Sequence, residues 1–282
     1  MIKTYFKLTK PGIIMGNAIT AAGGFALASK GHLDFFSLFT MLLGLSFIVA
    51  SGCVFNNYLD RDIDEKMART RNRALVKREV SIRNAVIFAG VLVVCGVATL
   101  MAFNNLLTLI IALAGLFVYV LLYSLLKTRT SYATLIGSIA GAVPPLVGYL
   151  AASDRVDLGG VLLFAIVALW QMPHFFAIAM YRYDDYAAAD IPVHPVVKGM
   201  HSTKIHMLVY TIAFITVSLL LTYFGYTGYA YLAVASSAGL AWLILCIKGF
   251  KAKNDKVWAY KMFRLSLVVI TAFSIMISVD TM

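Results

Sequence analysis

The stretch "NNYLDRDIDEKMARTRNR", residues 56–73, holds four acidic and five basic side chains directly after a long apolar run. Within it Asn56, Asp60 and Asp64 are spaced four apart. If the preceding helix continues through them, the three form one stripe. Asp62 then points about 200° round the helix from Asp60. An amide oxygen and two carboxylates are hard ligands of the kind Mg²⁺ prefers, usually shared with substrate phosphates. Arg69 and Arg73 are again four apart, and guanidinium groups match phosphate geometry. A carboxylate–Mg²⁺ half and an arginine half together make a diphosphate clamp. Salt bridges between these acids and the nearby arginines are the competing reading. Arg71, Lys77 and Arg78 read instead as charges that orient the chain.

The elements that must hold this stretch are membrane helices. The chain has 282 residues, is 61% hydrophobic and only 13% charged, and has a mean hydropathy of +0.85. Its apolar runs are of transmembrane length and far too long for the alternating strands of an outer-membrane barrel. Lipid leaves the backbone to satisfy itself, so the spans are helices. Nine are expected, near 12–29, 35–58, 83–103, 105–126, 132–152, 158–181, 205–224, 229–248 and 264–280. The first is read as a span and not a cleaved signal, because "GNAITAAGG" suits close helix packing. With nine spans, 22 of the 24 lysines and arginines fall on one side, and only Lys30 and Arg155 on the other. That split places the N-terminus in the cytoplasm and the C-terminus outside. The net charge of +11 is therefore read as topology, not as a nucleic-acid footprint. Cys53, Cys95 and Cys246 lie in apolar runs and read as small hydrophobic residues.

The expectation is one membrane-embedded domain over 1–282, with polar cytoplasmic loops at 59–82 and 182–204. Both loops carry carboxylates, Asp60 in the first and Asp185 in the second, each delivered by an apolar helix. That arrangement suggests two four-helix halves with a ninth helix added.

The residues 56–73 resemble the first aspartate-rich motif of the UbiA-type intramembrane prenyltransferases. More narrowly, "DRDID..M.RT..R" is similar to the protohaem IX farnesyltransferase (haem O synthase) branch. "KPGI" at 10–13, "LIGSIAGAVPPLVGY" at 135–149, "LWQMPHFFAIAM" at 169–180 and "DYAAADIPVHPVVKG" at 185–199 agree in order. The resemblance implies a nine-helix fold with a cavity opening to the cytoplasmic side of a bacterial inner membrane. It implies Mg²⁺-dependent transfer of farnesyl from farnesyl diphosphate to the 2-vinyl group of haem b, giving haem O and diphosphate. Asn56, Asp60 and Asp64 would hold the metal and diphosphate, with Asp185 from the second motif. Arg69, Arg73, Lys127 and Lys198 would bind the diphosphate, and Asp60, Asp64 and Asp185 would be catalytic. Haem A synthase or a haem–copper terminal oxidase is the protein partner implied. Two departures stand out: Ala74 replaces a common proline, and Asp185 is followed four residues on by Ala189, with Asp190 one step off.

His174, in "QMPHFF", lies deep in a span. It reads either as a haem-iron ligand or as a satisfied packing histidine. Pro173 should kink that helix, and Gly141, Pro144 and Pro145 should break or narrow the fifth. Rival readings are a UbiA-type enzyme with a quinone-precursor acceptor, a transporter and a structural oxidase subunit. Transporters place polar groups near the bilayer midplane, whereas these acids gather at one face. A structural subunit leaves Asn56, Asp60 and Asp64 without a role.

Overall fold

The computed structural model describes residues 2–282. Among them, nine helices are long and apolar enough to cross a membrane, and the chain is an all-helical multi-pass membrane protein. The spans are α1 (Pro11–Ser29), α2 (Phe35–Leu59), α3 (Ile82–Phe103), α4 (Leu106–Leu126), α5 (Ala133–Ser153), α6 (Leu158–Tyr181), α7 (His194–Tyr223), α8 (Tyr229–Lys248) and α9 (Asp255–Val279).

Local chemistry sets their starts. Asp34, Ser81, Asn105, Asp157 and Asn254 cap α2, α3, α4, α6 and α9 by accepting from backbone N–H groups of the first turn, which satisfies donors that a helix leaves free. Pro11 opens α1, where its missing N–H costs nothing.

Two boundaries differ from the sequence expectation. Helix α7 begins at His194 instead of residue 205, and α9 at Asp255 instead of 264. Hydropathy finds where a helix is apolar, whereas both helices continue beyond that stretch on polar residues. A pair between buried Lys204 and half-buried Asp255, at 2.7 Å, ties the two extensions together. Much of the second polar loop is thus helical. Helix α7 bends at Gly199, whose φ of 80° is a conformation that glycine adopts without a Cβ clash.

Helix α2 packs along α3, and α6 along α7, at equivalent places in the two sets of four; α9 closes against α6, α8 and α1. The α1–α5 crossing shows why small residues crowd both helices. A Cβ on Gly24 would collide with the Pro145 carbonyl, and one on Gly148 with the Ala21 carbonyl. The backbones therefore touch directly, as small residues allow in membranes. The expected break in α5 does not occur: it runs through Pro144 and Pro145 as one helix, and α6 likewise runs through Pro173. The prolines still deprive the Ala140 and Gly141 carbonyls of their helical N–H partners.

Candidate active site

Helix α2 ends at Leu59, and a short helix, Arg61–Lys66, resumes after Asp60. The joint keeps helical register: Asp60 N–H bonds to the Asn56 carbonyl at 2.9 Å, and Asp64 N–H to the Asp60 carbonyl at 2.7 Å. Asn56, Asp60 and Asp64 consequently fall on one buried face, only 4%, 9% and 4% exposed. Asp62 points the other way, its side chain 82% exposed beside Arg61.

Each of the three buried residues meets a different cation. Lys10 Nζ donates to Asn56 Oδ1 at 2.6 Å. Lys127 pairs with Asp60. Arg73 Nη1 donates to Asp64 Oδ2 at 2.5 Å. Charges this deep are held in place because each has a partner. Burial, and then the Arg73 charge, lower Lys10 to about 8. Burial, and then the Lys10 charge, lower Lys127 to about 7. The N-terminal helix Ile2–Leu8 is fixed by Asn57, whose amide donates to the Leu8 carbonyl at 2.8 Å.

Lysine 127 is delivered by an unusual stretch. Val118–Tyr123 of α4 is wound as a π-helix, a form frequent at functional sites. It stacks Tyr119 on Tyr123 with ring centres 5.8 Å apart. Both rings face a cavity of about 990 Å³ that the helices enclose. The charged cluster sits at one end, where α1 starts and α2, α4 and α6 finish. The remaining wall is mostly apolar and holds Trp170, Gln171 and His174.

Over the charged end, the two polar loops meet. Met67 packs with Ala189 and Ile191, flanked by Ile63, Tyr186 and Val193. Arg69 lines the mouth, as do Tyr186 and Arg182. The Arg182 Nε is buried and has no hydrogen-bond partner among the described residues. Asp185 is half-buried and Lys198 exposed, and neither lines the cavity. Among the described residues, no three of His, Cys, Asp and Glu stand close enough to share a metal, so Asp185 is not brought beside Asp60 and Asp64. Asp190 is exposed, with a left-handed φ of 54°.

The donor set fits Mg²⁺ bound together with a phosphorylated substrate: two carboxylates and an amide oxygen, in reach of one another along a helix face. The surrounding Lys10, Lys127, Arg73 and Arg182 supply N–H donors for anionic oxygens, and the orphaned Arg182 Nε has one still to give. The sequence pattern passed over Lys10, Tyr119, Tyr123, Arg182 and Tyr186. For Lys10 a signal existed: it precedes a proline, which disfavours helix, and it adopts a left-handed φ of 52°.

His174 is 8% exposed. Its ring stacks on Trp170 at 4.6 Å, and its Nδ1 lies 2.7 Å from Ser266 Oγ.

Comparison with known proteins agrees with the geometry. Residues 17–268 match the model of the UbiA prenyltransferase family. The chain is 52% identical over 280 residues to the protoheme IX farnesyltransferase of Protochlamydia amoebophila (strain UWE25), covering 99% of each. Among solved structures it superposes on digeranylgeranylglyceryl phosphate synthase with a TM-score of 0.82 at 18% identity, covering 99% of this chain and 97% of that one. It also superposes on a UbiA homologue from Archaeoglobus fulgidus bound to DMAPP and Mg²⁺, with a TM-score of 0.77 at 16% identity, covering 98% and 99%. At such identities the two structures speak for the fold alone.

Proposed function

We propose that this chain, which belongs to the UbiA prenyltransferase family, transfers farnesyl from farnesyl diphosphate to the 2-vinyl group of haem b. Water is added in the process, and haem O and diphosphate are the products. Identity above one half to a protoheme IX farnesyltransferase along nearly the whole chain supports the acceptor. The observation that carries the chemistry is the buried stripe of Asn56, Asp60 and Asp64, each against its own cation, at the end of an apolar cavity.

The bond to break is an allylic C–O bond, and charge builds on the departing diphosphate. Mg²⁺ bound there would neutralise part of that charge. Asn56, Asp60 and Asp64 would hold it, whereas Asp185 stands off the cavity wall in the second loop. Arg69, Arg73, Lys127 and Lys10 bind and orient the diphosphate oxygens, with Arg182 beside them and Lys198 further out on the loop. Donors already fixed in place stabilise developing charge without reorganising. The allyl cation must last until the vinyl carbon attacks, so water has to be kept away. The apolar wall around Trp170 and Phe175, and the packed cap of Met67, Ala189 and Ile191, serve that end. The stacked Tyr119 and Tyr123 offer aromatic faces to a cation. His174 contributes to holding the haem.

The excess of lysine and arginine at the charged end supports a cytoplasmic mouth in a bacterial inner membrane. Farnesyl diphosphate and haem b are the partners, and haem A synthase or a haem–copper terminal oxidase would receive the product.

Purified protein incubated with haem b, farnesyl diphosphate and Mg²⁺ should form haem O, seen by mass spectrometry. A quinone precursor offered as competing acceptor should remain unprenylated. Prenylation of that precursor with haem b untouched would refute the reading.

A further inference from the structure

The proposed reaction consumes one water, yet its first cation must be kept dry. The structure places two neighbouring polar side chains of one helix, Gln171 and His174, on the mostly apolar cavity wall. Gln171 is 4% exposed and lines the cavity, and its amide makes no hydrogen bond among the described residues. It lies against Gly141, where a Cβ would collide with the amide oxygen, so the absent side chain is what admits it. Pro145 leaves the Gly141 carbonyl without its helical partner. An unpaired buried amide is costly; one facing a cavity points to a polar ligand.

One helical turn further on, His174 faces the same cavity, and its tautomer follows from its neighbours. Ser266 Oγ donates its only proton to the Phe263 carbonyl at 2.6 Å. At 2.7 Å from His174 Nδ1, that oxygen must therefore accept. Nδ1 carries the proton, and Nε2 keeps a free lone pair. The stack on Trp170 and the bond from Trp170 Nε1 to the Ser266 carbonyl at 2.9 Å lock both partners.

We infer that Gln171 and His174 hold the water that ends the reaction, with His174 Nε2 taking its proton and Ser266 acting as the positioning residue. This rests on the haem-prenylating reading. The electron count closes. The C1–O bond of farnesyl diphosphate breaks, and its pair leaves with diphosphate. The vinyl π pair forms the new C–C bond and leaves a cation on the carbon next to the porphyrin ring. The water oxygen adds there, and its proton passes to Nε2 and on to solvent. Without a held water the same cation loses a proton from its neighbouring CH₂, giving a product lighter than haem O by one water.

The test is product partition. The full chain, in detergent, is supplied with haem b, farnesyl diphosphate, Mg²⁺ and ¹⁸O-water. The wild type should give ¹⁸O-labelled haem O. In Gln171→Leu, His174→Leu and Ser266→Ala, a positioned acid–base group worth about a hundredfold is lost or misaligned. The water-free fraction should then rise at least about tenfold, least in Ser266→Ala, and Ser266→Thr should restore the wild-type ratio. Products in wild-type proportion in every variant that turns over would overturn the inference, whether or not the spectrum of bound haem changes in His174→Leu. So would folded variants that neither release diphosphate nor form either product, because water acts after diphosphate leaves. Should His174→Leu fail to fold, Gln171→Leu and Ser266→Ala decide. A wild type that makes no haem O refutes the proposed function instead.

Discussion

Lys10 Nζ donates to Asn56 Oδ1 across 2.6 Å, joining residues 46 positions apart. A half-buried basic residue near the N-terminus, easily taken for an orienting charge, thereby joins the stripe proposed to bind the diphosphate. A hydrogen bond to a charged group is worth about 1.5–3 kcal/mol. Lys10→Ala should therefore weaken binding of a non-ionising thio analogue of farnesyl diphosphate by about 10- to 150-fold. Equilibrium binding measures this, and an unchanged Kd removes Lys10 from the site.

The face argument makes a contrast among three neighbouring acids. Asp60→Ala and Asp64→Ala should each lose most turnover while the protein still inserts. Asp62→Ala should lose little, because its side chain is 82% exposed and faces away. Steady-state rates on folded, detergent-purified variants check this; equal losses in all three contradict it.

Binding should also depend on pH. Lys10 and Lys127 titrate at about 8 and about 7 with the site as it stands. A diphosphate beside them favours their charged forms, so binding takes up protons. Affinity is full below pH 7. It falls as pH rises through 7 and 8, by up to about tenfold per unit for each lysine. Lys127→Arg, whose guanidinium stays charged, should flatten the lower part of that curve. Affinity that rises with pH would mean the lysines do not face the anion.

The α1–α5 crossing offers a test of the fold. Gly148→Leu places a side chain where the Ala21 carbonyl lies. Overpacking costs about 1–3 kcal/mol where neighbours can shift, and here the neighbour is backbone. A clear drop in thermal unfolding temperature in detergent is expected, whereas Gly90→Leu, in open space, should be near neutral. Equal stability of the two variants would deny the close crossing.

Much of this was legible in the sequence because lipid leaves few options. Nine apolar runs gave nine spans, and the spacing of Asn56, Asp60 and Asp64 predicted their shared face. Helix starts at α7 and α9 were misplaced because polar residues such as Lys204 and Asp255 pair across helices, which hydropathy does not see. Asp185 was expected beside Asp60; instead the two loops meet through Met67, Ala189 and Ile191, leaving Asp185 off the cavity wall. Residue spacing within one loop carries no information about how a second loop lies on it. The same holds for Ser266, whose partner His174 is 92 residues away.

The central claim is that the buried stripe holds Mg²⁺ with the diphosphate, and chelation tests it most directly. Haem O formation by the purified protein should vanish in EDTA and return when Mg²⁺ or Mn²⁺ is added in excess. Full activity in the chelator would mean that Asp60 and Asp64 serve only their ion pairs with Lys127 and Arg73.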